Sequence, residues 1–290
     1  MPQKGHVFSL RMPPWPPPRL VESLQQGLCI PWCGAGVSIA SGLPDWKGLA
    51  RMMIDAARNS AAISESQEAE LDSLFDAGAF EDVIDFSRER LSTDDYREML
   101  EHIVRSDAPR SRLQNAVARL HAPAIFTTNV DRLIEAAVAE RKGIAPAVFT
   151  SRDIESVVRY FVRGRFFVLK VHGSIEYPQT VVLSGRDYTK HVFGNTAFMQ
   201  FLHLVFMSRS VLFIGTALGD AYLRRMLEEN AYLTGGVGMP HYALRARSEA
   251  GEILSKILRD RFNITVIPCD NHDEVASRLE ELADRAPRQD

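Results

Sequence analysis

The chain predicts an α/β fold: a Rossmann-like parallel sheet with helices on both faces and a helical module inserted after its first strand–helix unit. Three observations carry this expectation. Short apolar runs alternate with helical patterns from Pro123 to Ala286. The first apolar run, Leu28–Cys33, ends in the glycine-bearing turn Gly34-Ala-Gly-Val-Ser38. Between Trp46 and Arg105 the alternation stops, and apolar residues recur at three- and four-residue spacings instead.

Taken in order, Met1–Pro18 is a proline-rich arm whose Pro13-Pro-Trp-Pro-Pro-Pro18 favours polyproline II. It is either a disordered tail or a segment that docks on a neighbouring subunit through Trp15. Arg19–Gly27 reads as a short helix feeding the strand Leu28–Cys33. Pro31 is unexpected there, because proline removes a ladder donor and usually sits at an edge or bulge. Helices follow at about Lys47–Arg58, Glu65–Asp76, Ala79–Arg90 and Thr93–Arg105, the last with a polar start at Thr93-Asp94 that suits a cap.

The alternation then resumes with strand Pro123–Thr128 and helix Asp131–Arg141, strand Ala147–Thr150 and helix Asp153–Phe161. Arg165–His172 and Ser210–Ile214 read as buried strands, with helix Gly219–Asn230 after the second. Strand His241–Arg245, helix Ser248–Arg259, strand Asn263–Cys269 and helix Asp273–Ala286, stopped by Pro287, complete the pattern. The division is an arm at 1–18 and one domain at 19–290, with the helical insert at about 47–110.

A chain of 290 residues can hold one large α/β domain. Hydrophobic residues at 46% and charged residues at 24% are ordinary for a soluble globular protein. A net charge of −3 provides no basic field for tight nucleic-acid binding. Three cysteines cannot build a disulfide framework and suit a reducing cytoplasm. No apolar run approaches a membrane span or the core of a signal peptide, so a cytoplasmic location is expected.

The candidate chemistry lies where strands end, as it does in open parallel sheets. Glycines at Gly34 and Gly36 would let the backbone approach a pyrophosphate, with the amides of the following turn pointing at the anion. The loop Ser41-Gly-Leu-Pro-Asp-Trp46 follows. In Thr127-Thr-Asn-Val-Asp131, Asn129 or Asp131 either caps the next helix or contacts a ligand. His172, in Val171-His-Gly173, ends a buried strand beside a glycine. It is either a structural imidazole or a base that titrates near neutrality.

Joined in order with Phe213-Ile-Gly-Thr-Ala217, these segments resemble the sirtuin superfamily of NAD-consuming proteins, over most of the chain. The resemblance implies that Asn129 holds the nicotinamide ribose and orients a water, and that Asp131, beside Thr128, contacts the nicotinamide carboxamide. It assigns His172 the role of base. It implies that Gly34, Ala35, Gly36 and Ser38 cradle the phosphates, and that Asp45 and Trp46 form a flap over the nicotinamide end. Otherwise the Trp46 indole packs into the core. Gly215 and Thr216 match the sirtuin glycine–threonine–serine turn, with Ala217 in place of serine. Cys269-Asp270-Asn271 resembles the segment that wraps adenine.

Departures from the deacylase pattern narrow the reaction. No Cys-x-x-Cys pair is present, so neither the zinc ribbon nor its tetrahedral sulfur site can be built. The segments that hold an acyl-lysine peptide as an added strand are replaced by Leu183-Ser-Gly-Arg-Asp-Tyr188 and by Leu218–Met226, which lacks proline and turns helical. These features resemble the zinc-free sirtuin-like branch of prokaryotic anti-phage systems. That resemblance implies an NAD+ glycohydrolase, which releases nicotinamide and ADP-ribose and depletes NAD+ in the infected cell. It implies control by oligomerisation or by a partner such as a HerA-type hexameric ATPase or a short Argonaute. This length leaves no room for a fused sensor, so the regulator is expected to be a separate protein or the chain's own oligomer. A protein deacylase and a non-catalytic NAD or ADP-ribose binding module are the alternatives.

Overall fold

The computed structural model describes residues 15–104, 108–219 and 221–287. Most of the proline-rich arm, Arg105 and Asp220 lie outside them. Seven strands form one sheet: β1 Cys29–Cys33, β2 Ala124–Thr127, β3 Ala147–Thr150, β4 Phe167–Lys170, β5 Ser210–Ile214, β6 His241–Ala246 and β7 Ile264–Cys269. All pairs are parallel, in the order β3-β4-β2-β1-β5-β6-β7. The order therefore reverses at β1, and the gap between β1 and β5 is the switch point where such sheets bind ligands.

Helices α1 Pro18–Gln25 and α2 Ala35–Ile39 flank β1, and α3 Trp46–Asn59, α4 Glu65–Asp76, α5 Phe80–Arg90 and α6 Thr93–Ile103 follow. Next come α7 Arg112–Arg119, α8 Leu133–Lys142, α9 Ile154–Val162, α10 Gly185–Gly194 and α11 Thr196–Ser208. The series ends with α12 Ala221–Leu233, α13 Glu252–Phe262 and α14 His272–Arg285. One face of the sheet buries α1, α7, α8 and α14 in a core that includes Leu24, Val117, Val138 and Leu279. The other buries α9, α11, α12 and α13 around Trp32, Phe126, Phe206 and Phe213. Helices α3 to α6 close a third core of their own around Met53, Ile54, Ile84 and Leu100. Val130 and Ile175, from the loops after β2 and β4, pack against that third core.

Pro31 lies in a central strand rather than at an edge. Gly34 donates to the carbonyl of Ile214 and Leu28 accepts from Ser210, so even-numbered residues of β1 face β5. Cys33 accepts from Thr128, so odd-numbered residues face β2. The N–H that Pro31 lacks thus falls on the β2 side, where pairing begins only at Trp32. Toward β5 the ladder is complete from Cys29 to Cys33. Trp15 also departs from expectation, because it docks on its own chain. Its indole N–H donates to Glu281 of α14 at 2.9 Å, and the Arg278 guanidinium lies 5.1 Å from the ring centre.

Helices α7, α10 and α11 are absent from the pattern read along the chain. The segment Thr196–Ser208 is apolar nearly all round, as a buried helix is, and so shows no single stripe. Helix α10 begins and ends on glycine. Among the described residues no helix is long and apolar enough to cross a membrane.

His241, buried on β6, accepts the Val211 amide through Nδ1 at 3.2 Å, and burial pushes its pKa from 6.5 down to about 4. The unfolded chain binds this proton more readily. The stabilisation is therefore complete above about pH 6.5 and is lost as pH falls through about 4. Its size is roughly 3 kcal/mol or less. Thermal unfolding followed across that window should fall more steeply for the wild type than for His241→Gln; parallel curves would contradict this.

Candidate active site

The register of the sheet fixes which residues meet at its carboxyl edge. Cys33 pairs with both Thr127 and Ile214, and Thr127 pairs with Lys170. One or two residues beyond those positions lie Gly34 after β1, Gly215 after β5, Asn129 after β2 and His172 after β4. Four neighbouring strands thus deliver these four residues to one edge of the sheet.

Asn129 is buried, and its Nδ2 donates to the Gly34 carbonyl at 3.0 Å and to Ser38 Oγ at 2.7 Å. A backbone carbonyl only accepts, so the contact to Gly34 fixes which end of the amide is nitrogen. Both amide protons are engaged, while Oδ1 accepts no hydrogen bond among the described residues. That oxygen is available to orient a water or a hydroxyl. The Ser38 hydroxyl in turn donates to Asp131 Oδ2 at 2.5 Å, and Asp131 Oδ1 accepts the Leu133 amide at 2.9 Å. Asp131 is therefore both the anchor of Ser38 and a satisfier of the first turn of α8.

His172 is half-buried, and its carbonyl accepts the Val182 amide at 3.0 Å. Its ring lies edge-to-face with Tyr188 at 6.2 Å and with His191 at 6.4 Å, both on α10. The glycine that follows is required by geometry. Gly173 has φ +83°, and the Thr180 carbonyl lies 2.1 Å from where a Cβ would stand.

The turns after β1 and β5 touch each other. A Cβ at Gly34 would lie 2.7 Å from the Gly215 carbonyl, and one at Gly36 would lie 2.8 Å from Gly215 Cα. The Gly36 amide donates to the Gly215 carbonyl at 2.8 Å. It therefore points at its neighbour turn rather than outward to an anion. The Ser38 hydroxyl is likewise engaged inside the chain, between Asn129 and Asp131. Among the residues expected to line them, Ala35 opens α2 and is exposed.

The remaining candidates divide. Thr128 donates its amide to Cys33 at 3.0 Å, which joins the β2 loop to β1. Thr216 Oγ1 accepts the Leu218 amide at 3.3 Å within the β5 turn. Asp45 caps α3 by accepting from the Gly48 amide at 2.7 Å, and Trp46 is 44% exposed, so its indole is not core. Asp270 follows β7, two strands beyond β5, and pairs with Arg247 on the surface. It is not brought to the four central strand ends.

Three buried polar residues support the site and were not singled out from the sequence. Gln114 of α7 donates to the Val37 carbonyl at 2.7 Å and to Ser41 Oγ at 2.8 Å, clamping α2. Arg245 of β6 donates to the Ala217 carbonyl at 2.8 Å and holds the β5 turn. Lys170 donates to the carbonyls of Val130 and Asp131 and to Glu135. A lone cation inside the apolar run Phe166–Val171 was its signal.

Cys29 and Cys33 are buried in the core, where burial pushes both thiols upward, and Cys269 is raised to about 11 for the same reason. Among the described residues no group of three or more His, Cys, Asp or Glu side chains is placed to hold a metal ion. A cavity of about 530 Å³ lies in the helical module between α3 and α6, and none of the strand-end residues lines it.

Known proteins resemble this chain in sequence. The NAD(+) hydrolase ThsA of Bacillus cereus (strain MSX-D12) is 24% identical over 282 residues, covering 90% of this chain and 55% of that protein. The protein of the same name from Acinetobacter baumannii (strain 532279) is 25% identical, covering 92% of this chain and 55% of its own length. Defense-associated sirtuin 2 of Bacillus subtilis is 22% identical over 214 residues, covering 72% of this chain and 20% of that protein. The chain thus spans about half the length, or less, of these curated relatives. The SIR2-like domain family matches residues 123–267, which is half of the 290-residue chain. That span runs from the strand before Asn129 through His172 and Gly215 into the last strand, and the chain belongs to the SIR2-like domain family.

Proposed function

We propose that this protein is an NAD+ glycohydrolase that cleaves NAD+ to nicotinamide and ADP-ribose, with NAD+ as substrate and no zinc. The observation that carries the proposal is the convergence of Asn129, His172, Gly34 and Gly215 on one edge of four adjacent strands at the switch point. The relatives named as NAD(+) hydrolases support the same reading.

In this reading the bond between ribose C1′ and the pyridinium nitrogen breaks, and its electron pair leaves with neutral nicotinamide. The ribose passes through an oxocarbenium-like state, as in other glycosidic cleavages. Asn129 Oδ1 accepts a hydrogen bond from the attacking water or from a ribose hydroxyl and holds it in place. His172 takes the proton that the attacking water loses as its oxygen bonds to C1′. Neither 181–184 nor 216–219 forms a strand. A peptide added as a strand would find no partner there, so water is the acceptor.

Gly34, Ala35, Gly36, Ser38, Thr128, Gly215 and Thr216 form the dinucleotide side of the cleft in this proposal. Asp131 serves the nicotinamide end through Ser38, Asp45 and Trp46 overhang it, and Asp270 reaches only an extended adenine. The helical insert at about 47–110 covers the cleft. An always-active NADase would kill its host. The protein is therefore read as a cytoplasmic anti-phage effector held in check by its own oligomerisation or by a partner such as a HerA-type ATPase.

Purified protein incubated with NAD+, with and without the product of its neighbouring gene, should release nicotinamide on chromatography without any acylated peptide. Release that requires an acylated peptide would make it a deacylase. Calorimetric binding without release would make it a silent module.

A further inference from the structure

The Lys170–Glu135 pair has no role in the chemistry described above, yet among the described residues it is the most deeply buried charge pair at the site. Lys170 is fully buried and Glu135 nearly so. The ammonium directs its three protons at the Val130 carbonyl (3.1 Å), the Asp131 carbonyl and Glu135 Oε1 (2.6 Å). Two consecutive carbonyls immediately after Asn129 are therefore fixed by one side chain. That side chain springs from β4, two residues before His172.

The pair is poorly suited to a purely stabilising role. Glu135 Oε2 is buried with no partner, and burial raises the Glu135 carboxyl while Lys170 works against that rise. An imperfectly satisfied buried pair is often matched or bettered in stability by apolar residues of similar volume. What an apolar pair cannot do is orient two carbonyl groups. The peptide planes that carry these two carbonyls flank Asp131 and set the direction of its carboxylate, which reaches the Asn129 amide through the Ser38 hydroxyl.

We propose that Lys170, held by Glu135, is a positioning residue that locks the loop 129–131 to the strand carrying His172, so that amide and imidazole keep one fixed relation. This rests on the reading that Asn129 and His172 serve N-glycosidic cleavage. Lys170 touches no substrate and acts through the loop.

The test compares Lys170→Met/Glu135→Leu with the wild type by thermal unfolding, NAD+ turnover and amide hydrogen exchange. The Val130 carbonyl keeps the Ile175 amide at 3.1 Å, so the double variant retains a partner there. The Asp131 carbonyl loses its donor, so the expected result is an unfolding midpoint lower by no more than several degrees, an unchanged KM for NAD+, kcat lower by about 100-fold and faster exchange confined to 129–133. Glu135→Gln, which leaves Lys170 an acceptor, should lose about ten-fold in kcat by the same logic and serves if the double variant does not fold. Wild-type kcat and wild-type protection in these variants would overturn the proposal. If the wild type itself releases no nicotinamide, the glycohydrolase reading fails, and the exchange pattern alone decides whether the pair locks the loop.

Discussion

Asn129→Ala and His172→Ala should each lower nicotinamide release on the order of 1,000-fold, within the range that positioned acid–base groups contribute. The two variants should differ in stability. Removing the Asn129 amide withdraws a donor from the Gly34 carbonyl and from Ser38, both at a buried site. An abandoned buried acceptor costs about 1–3 kcal/mol, so Asn129→Ala should unfold several degrees earlier than wild type. His172 is only half-buried, and its ring meets Tyr188 and His191 edge-to-face. Its loss should move the midpoint less. His172→Ala is thus the cleaner probe of chemistry, and calorimetry should show it binding NAD+ within about ten-fold of wild type. Activity retained in that variant would remove the imidazole from the mechanism.

Much of this site was legible before any coordinates, for a physical reason. Residues at strand ends are named by their motif, and parallel alternation forces all those ends to one edge. Asn129, His172, Gly34 and Gly215 could therefore be placed together without knowing a single distance. The partners could not. Ser38 reads as a phosphate ligand in a glycine turn, and only the fold shows its hydroxyl caught between Asn129 and Asp131. Lys170 and Gln114 reach the site across thirty-five or more positions, as in the contact from Lys170 to Glu135. No local pattern encodes such a contact. Pro31 shows the same limit from the other direction. Its acceptability depends on which neighbour faces odd-numbered residues of β1, a matter of register.

Gly34→Ala should be a severely damaging single-methyl change. Gly34 has φ −109° and ψ −173°, extended backbone open to any residue, so the cost is not conformational. It is spatial. The new methyl would lie 2.7 Å from the Gly215 carbonyl, 2.8 Å from Thr216 Cβ and 2.9 Å from Thr216 Cα. Backbone and β-carbons cannot rotate away, so the β5 turn must retreat. Gly215 has φ +62° and stands against the Val37 amide and Gly36, which leaves it little freedom to do so. Overpacking of this kind costs about 1–3 kcal/mol and should lower the unfolding midpoint by several degrees. The functional loss should be larger than the stability loss. The Gly34 carbonyl holds Asn129, and displacement of Gly215 breaks the bond from the Gly36 amide. Gly251→Ala, with nothing within 4 Å of the added methyl, is the matched control and should leave both midpoint and NAD+ binding as they are. Equal behaviour of the two variants would mean that the turns after β1 and β5 do not press together in solution, and the dinucleotide cleft would then have to be sought elsewhere on the sheet.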